Sequence, residues 1–185
     1  MSAKPPHNTA NDTQWPRWEV FKQDAPTKPH QAVGSVHAGD PEHALLSARN
    51  VFARRPNAVS LWVAPAAAIF SVTAEELSTL HLPEASGETS YLIFCKTGHR
   101  RSMTFVEHLG AVKAEGPEAA LSQALKTFDQ PDATVWWVLS EAAVVRSSES
   151  DVDSWFAPAR TKTYKQQSAY GLVGQHPSER RRERD

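Results

Sequence analysis

Apolar residues in this chain alternate between two spacings, and the same succession of spacings occurs twice. The runs Trp18 to Phe21, Ala32 to His37 and Ser60 to Ala64 are short and rich in β-branched and aromatic residues, which predicts strands. Between the second and third runs lies Asp40-Pro41-Glu42, an N-cap followed by a proline at the first helical position and an acid in the first turn. Ala44, Leu45, Ala48 and Phe52 then recur at helical spacing, so this helix has one buried face. Ala120, Leu121, Ala124 and Phe128 repeat that face in the second half. There Gly116 takes the place of the capping aspartate, a change that costs only a few tenths of a kcal/mol.

The two halves align residue by residue. VGSVHAGDPEHALLSARNVF at Val33 to Phe52 matches LGAVKAEGPEAALSQALKTF at Leu109 to Phe128. Gly34 pairs with Gly110, Val36 with Val112, Pro41 with Pro117, Glu42 with Glu118, and Phe52 with Phe128. Upstream, Trp18 to Phe21 matches Tyr91 to Phe94; downstream, Leu61-Trp62-Val63 matches Trp136-Trp137-Val138. Each copy therefore reads strand, strand, helix, strand, an α+β unit. A lone unit of some sixty residues buries too little apolar surface for comfortable stability, so the copies are expected to pack about a pseudo-twofold axis. The expected boundaries are a disordered N-terminus over 1–14, a first module over 15–72, a linker over 73–90 and a second module over 91–146. An extended aromatic tail over 147–173 and a disordered charged end over 174–185 follow.

Charge and composition then remove whole classes of function. The 20 basic and 21 acidic residues leave a net charge of -1, so no overall field draws the chain to nucleic acid or to an anionic membrane. Arg180, Arg181, Arg182 and Arg184 are diluted by Glu179, Glu183 and Asp185 and read as a solvated end. No apolar run reaches the roughly 20 residues of a membrane span. The N-terminal residues lack the apolar core of a signal peptide, and the single cysteine, Cys95, has no partner for a disulfide, so the expected location is the cytoplasm.

A search for chemistry returns little. No glutamate is followed by histidine three residues later, as a di-iron carboxylate site in a helical bundle requires. There is no phosphate-cradling glycine fingerprint, no G-x-S-x-G elbow and no Cys-x-x-Cys pair. The expectation is a chain with no catalytic, cofactor-binding or metal-ligating residues. Cys95 follows Phe94 in an apolar run and reads as a buried, inert thiol; His37 and His43, without carboxylate or cysteine support, read as surface or hydrogen-bonded histidines. Two weaker readings stay open. In one, His99, Arg100 and Arg101 meet the phosphate of an acyl-CoA in a ligand-binding or regulatory module. In the other, Glu19, His37 and Asp40 serve a small enzyme as acid and base.

Aromatic residues point instead to a partner. Six tryptophans are many for 185 residues; Trp18, Trp62 and Trp137 are expected to fill the shared core. Tryptophan, tyrosine and arginine are enriched in interface hot spots. The candidate partner interface is accordingly Trp15, Arg17, Arg54, Arg55, Trp155, Phe156, Tyr164 and Tyr170.

An ordered set of these features resembles the B subunit family of the multicomponent phenylacetyl-CoA epoxidase. It comprises the strand Trp18 to Phe21, the run Val33 to Ala38, the helix with Ala44, Leu45, Ala48 and Arg49, the pair Arg54-Arg55 and the strand Leu61-Trp62-Val63. The ending Trp155-Phe156-Ala157-Pro158-Ala159, then Thr163-Tyr164-Lys165 and Tyr170, is similar to that of the family as well. The familiar member is a single module, and here there are two. In the second, Lys113 stands where the first has His37, and the paired arginines are missing. The resemblance implies a non-catalytic, cofactor-free structural subunit that bridges a catalytic di-iron subunit and its structural homologue, with the reductase subunit as a further candidate partner. It implies no nucleic-acid and no membrane partner.

Overall fold

The computed structural model describes residues 14–53, 58–84, 86–97 and 106–160, with the side chains of 159 and 160 left aside. The first copy contributes β1 (Arg17–Gln23), β2 (Gln31–His37), α1 (Pro41–Phe52), β3 (Ser60–Pro65), β4 (Ile69–Thr73) and the short α2 (Ala74–Leu77). The second contributes β5 (Thr89–Thr97), β6 (Glu107–Ala114), α3 (Pro117–Thr127), β7 (Ala133–Ser140), β8 (Val145–Arg146), α4 (Val152–Trp155) and α5 (Ala157–Arg160). The architecture is α+β with two tandem modules, as expected. α1 starts where the sequence predicts: Asp40 is extended and its Oδ1 accepts from the His43 amide at 2.8 Å. Gly116 holds the same extended geometry at the start of α3 without a side-chain cap.

All eight strands belong to one antiparallel sheet of order β4-β7-β5-β6-β2-β1-β3-β8. Its centre is the β2–β6 seam, where Gln31 pairs with Glu107, two residues that occupy the same place in the two copies. The Ala32 amide donates to Val106 and the His108 amide to His30, an arrangement that reads alike from either copy. The pseudo-twofold axis therefore passes between Gln31 and Glu107.

One face of each half-sheet takes its own helix. Trp18, Val20, Val36, Leu61 and Val63 pack with Ala44, Leu45 and Ala48 of α1; Ile93, Val112, Trp136 and Val138 pack with Ala120, Leu121 and Ala124 of α3. The opposite faces turn toward each other. Phe21 of β1 and Phe94 of β5 stack at 4.4 Å, although a flat sheet would separate those strands by three spacings, roughly 14 Å. The sheet thus curls on itself, and Phe21, Ala32, Ala64, Leu92, Phe94, Val106, Leu139 and Val144 form a third core shared by both modules. Trp18 fills the first core, whereas Trp62 and Trp137 pack against the shared one.

The expected strand, strand, helix, strand unit lacks a strand that the structure adds. After β3 the chain makes one tight turn at Ala66–Ala68 and enters β4, which pairs with β7 of the other copy from Ile69↔Leu139 to Thr73↔Val135. After β7 the turn at Glu141–Ala143 leads into β8, which pairs with β3 of the first copy. Each module thereby lends a strand to its twin. The exchange continues past the strands: Leu77 packs on the second core, while Val152, Trp155 and Phe156 pack on the first. Thr73 and Ser148, at matching places, each form a reciprocal capping box, with Glu76 and Asp151 respectively.

Two stretches carry elements of their own. The span 73–90 is not a plain linker, because it contains the end of β4, α2 and the start of β5. Between Glu149 and Arg160 the tail is helical rather than extended, since Phe156 and its neighbours close over the first core. The charged end, the rest of the tail and the first 13 residues lie outside the described residues.

Candidate partner interface and the polar seam

The interface candidates separate into three groups. Trp15 and Arg17 lie at the entry to β1 and are solvent-facing. Trp15 is 57% exposed; its ring meets His43 edge-on at 4.8 Å, and its carbonyl accepts from His37 Nδ1 at 2.8 Å. Arg17 reaches Glu19 at 3.2 Å. Burial raises the Glu19 carboxyl above its ordinary range, and the Arg17 charge opposes that shift. Phe156 differs: at 1% exposure it is an interior residue of the first core, where the chain following β8 folds back onto that core. Trp155 is half-buried beside it. Arg54, Arg55, Tyr164 and Tyr170 lie outside the described residues, as do His99, Arg100 and Arg101.

Sequence reasoning missed the outer face of α1. Leu46 is 48% and Val51 is 56% exposed on α1, the helix whose His43 meets Trp15. The equivalents on α3 differ. Ala119 is 5% and Ser122 is 9% exposed, and Leu77 and Leu82 of the stretch leading to β5 pack against that core. The signal was present in the aligned copies, because Leu46 faces Ser122 in the alignment and an apolar residue replaces a polar one at an outward helical position.

The residues weighed as acid and base have structural partners: Asp40 caps α1, His37 holds the Trp15 carbonyl and Glu19 pairs with Arg17. Among the described residues no group of three His, Cys, Asp or Glu side chains is placed to hold a metal ion. Cys95 is buried, and burial, followed by the nearby Glu107 charge, pushes its thiol up to about 11. No helix of the described residues is long and apolar enough to cross a membrane.

A polar cluster sits on the seam between the modules. His30 stacks on Trp62 at 3.5 Å and shares a hydrogen bond with Ser60 Oγ at 3.0 Å. His108, from the other module, meets Trp62 edge-on at 5.3 Å and Phe94 at 5.1 Å. The Arg146 guanidinium lies 4.9 Å from the Trp62 ring centre and pairs with Glu141 at 2.8 Å. Burial, then the neighbouring His108 and Arg146, lowers His30 to about 3. Burial, and to a lesser extent Arg146, also lowers His108, against a hydrogen bond with the Gly110 backbone and the Glu141 charge. A hydrogen bond from Ser90, with help from Arg146, keeps Glu141 ionised below the ordinary carboxylate range.

Comparison with known proteins accounts for the duplication. The sequence model of the family described as phenylacetic acid degradation B matches twice, over residues 14–91 and 88–177. The B subunit of the 1,2-phenylacetyl-CoA epoxidase of Escherichia coli (strain K12) is 36% identical over 76 residues, which is 41% of this chain and 80% of that protein. No solved structure matches the chain. Both matched segments contain a complete strand, strand, helix, strand succession, and the chain belongs to the phenylacetic acid degradation B family as a tandem pair of its modules.

Proposed function

We propose that the chain is a non-catalytic bridging subunit of a phenylacetyl-CoA epoxidase complex, acting in the cytoplasm in aerobic phenylacetate degradation. The observation that carries this reading is the double family match on a body whose halves exchange strands. A pair of modules tied in one chain supplies two related surfaces without the entropy of associating two subunits. Its proposed partners are the catalytic di-iron subunit and that subunit's structural homologue, with the reductase as a further contact. The residues proposed to meet them are Trp15, Arg17, Leu46 and the half-buried Trp155, the exposed or part-exposed aromatic, apolar and arginine side chains of the first module and the tail. Arg54, Arg55, Tyr164 and Tyr170 extend that proposal on the strength of their residue types.

The test is co-expression of the tagged chain with the two di-iron-type subunits, followed by mass and iron determination of what co-purifies. A bridging subunit yields an iron-containing assembly that falls to a smaller mass when the chain is omitted. Recovery of the chain alone, with heat released on titration with phenylacetyl-CoA, would replace this reading with the acyl-CoA-binding module.

A further inference from the structure

The polar seam is not a requirement of the fold. Pseudo-symmetry supplies an internal control, since every position on one side of the axis has a counterpart on the other. His30 corresponds to Val106, His108 to Ala32, Trp62 to Trp137 and Arg146 to Ser71. On the counterpart side Val106, Ala32 and Trp137 pack in the shared apolar core with Phe21 and Phe94. Apolar residues therefore close the seam there, and two histidines and an arginine gather about Trp62 only on the other side.

The gathered groups come from several elements of both modules. From the stretch before β2 comes His30; from β6, His108; from β8, Arg146; and from the turn after β7, Glu141. β3 contributes Ser60 and Trp62, and β5 contributes Ser90 and Phe94. Glu107, next to His108, is engaged by Gln31 Nε2 at 2.6 Å. Glu141 is already paired with Arg146. His108 Nε2 is buried with no hydrogen-bond partner among the described residues. A proton on buried His30, or on the half-buried His108 beside it, is thus opposed by the loss of water and by the Arg146 charge, while the Glu141 carboxylate pulls the other way on His108.

We propose that this cluster is an acid-responsive latch: neutral histidines let the two modules close along β2 and β6, and their protonation opens that seam. The sign follows from linkage. A histidine that is neutral when the seam is closed and ordinary when it is open binds more protons in the open form, so falling pH favours opening. For His30 the window runs from about 6.5 down to about 3.

The experiment measures amide hydrogen exchange of the full chain between pH 8 and pH 4. It follows the cross-seam amides of Ala32 and His108, using the amides of α1 as an internal reference. The comparison protein carries His30→Val and His108→Ala, each histidine replaced by its counterpart from the other module. At pH 7.5 the two proteins should protect the seam equally. At pH 5 the unmodified chain should exchange at the seam more than about tenfold faster than the variant, with α1 unchanged. Equal seam exchange in both proteins across the whole range would overturn the proposal. If that double variant lacks native near-ultraviolet dichroism at pH 7.5, the variant carrying both His30→Gln and His108→Gln, which keeps a partner for Ser60 and has no titrating group at either place, serves instead under the same criterion.

Discussion

A Cβ built on Gly34 would lie 3.0 Å from Cζ of Phe52. The glycine is on β2 with φ +138°, and the phenylalanine is the last residue of α1, so the ring closes over the strand where the backbone leaves it room. Gly110 and Phe128 repeat the contact in the second module at 2.9 Å. Both glycines also lie opposite a register shift in the neighbouring strand, between Val20 and Phe21 and between Ile93 and Phe94. Gly34→Ala should destabilise the chain by about 1–3 kcal/mol through backbone strain and the displaced ring. Urea unfolding of the variant measures this, and a loss below the error of the method would show that the ring moves aside freely.

The stack of Phe21 on Phe94 links the modules through side chains alone. Each ring is fully buried, so Phe94→Ala should cost about 3–5 kcal/mol. A double-mutant cycle with Phe21→Ala should return a coupling of about 0.5–1.5 kcal/mol beyond the two single losses, the range for a stacked aromatic pair. Strictly additive losses would mean that each ring acts within its own half.

Helix capping offers a comparison inside one molecule. Asp40→Ala removes the hydrogen bond to the His43 amide and should cost about 0.5–2 kcal/mol. Gly116 has the same extended geometry, so Gly116→Asp can adopt the cap without backbone change, and its gain should be only a few tenths of a kcal/mol. Glycine is already a tolerable cap, which sets that limit. Thermal unfolding of the two variants at matched ionic strength checks both signs.

Cys95 should be chemically silent in the folded chain. Its thiol is buried and pushed up to about 11, so thiolate is scarce at pH 8 and access is blocked. Iodoacetamide should leave it unmodified in buffer and label it fully in denaturant, as read by intact mass. Rapid labelling of the native chain would place a reactive thiol where the structure has a core residue.

Much of the fold was legible because its signals are local. Asp40-Pro41-Glu42 marks a helix start wherever it occurs, and Ala44, Leu45, Ala48 and Phe52 carry their period in the sequence. The exchanged strands were not. β4 holds Ile69, Phe70 and Val72 beside Ser71 and Thr73, a run that reads as the end of a module until its partner β7 is known. β8 is two residues long and has no periodicity to read. Partner choice is a long-range property, and here it decides which module those residues complete. The site shows the same division: Trp15 is exposed on the surface, whereas Phe156, equally aromatic, belongs to the interior because a turn after β8 folds it back. Outward Leu46 went unnoticed because an isolated apolar position next to buried Leu45 blends into the helical stripe.

The covalent joining of the modules has a consequence for how they can change. In an assembly of two identical single-module chains, a histidine at the place of His30 would occur on both sides of the axis, and any substitution would be made twice. Here each place is specified separately, so His30 can face a partner whose own counterpart position holds Val106, and Leu46 can stay outward while Ser122 is covered. One half is free to acquire a new property while the other keeps the inherited one, and the pair still closes because the strands they trade are unaffected.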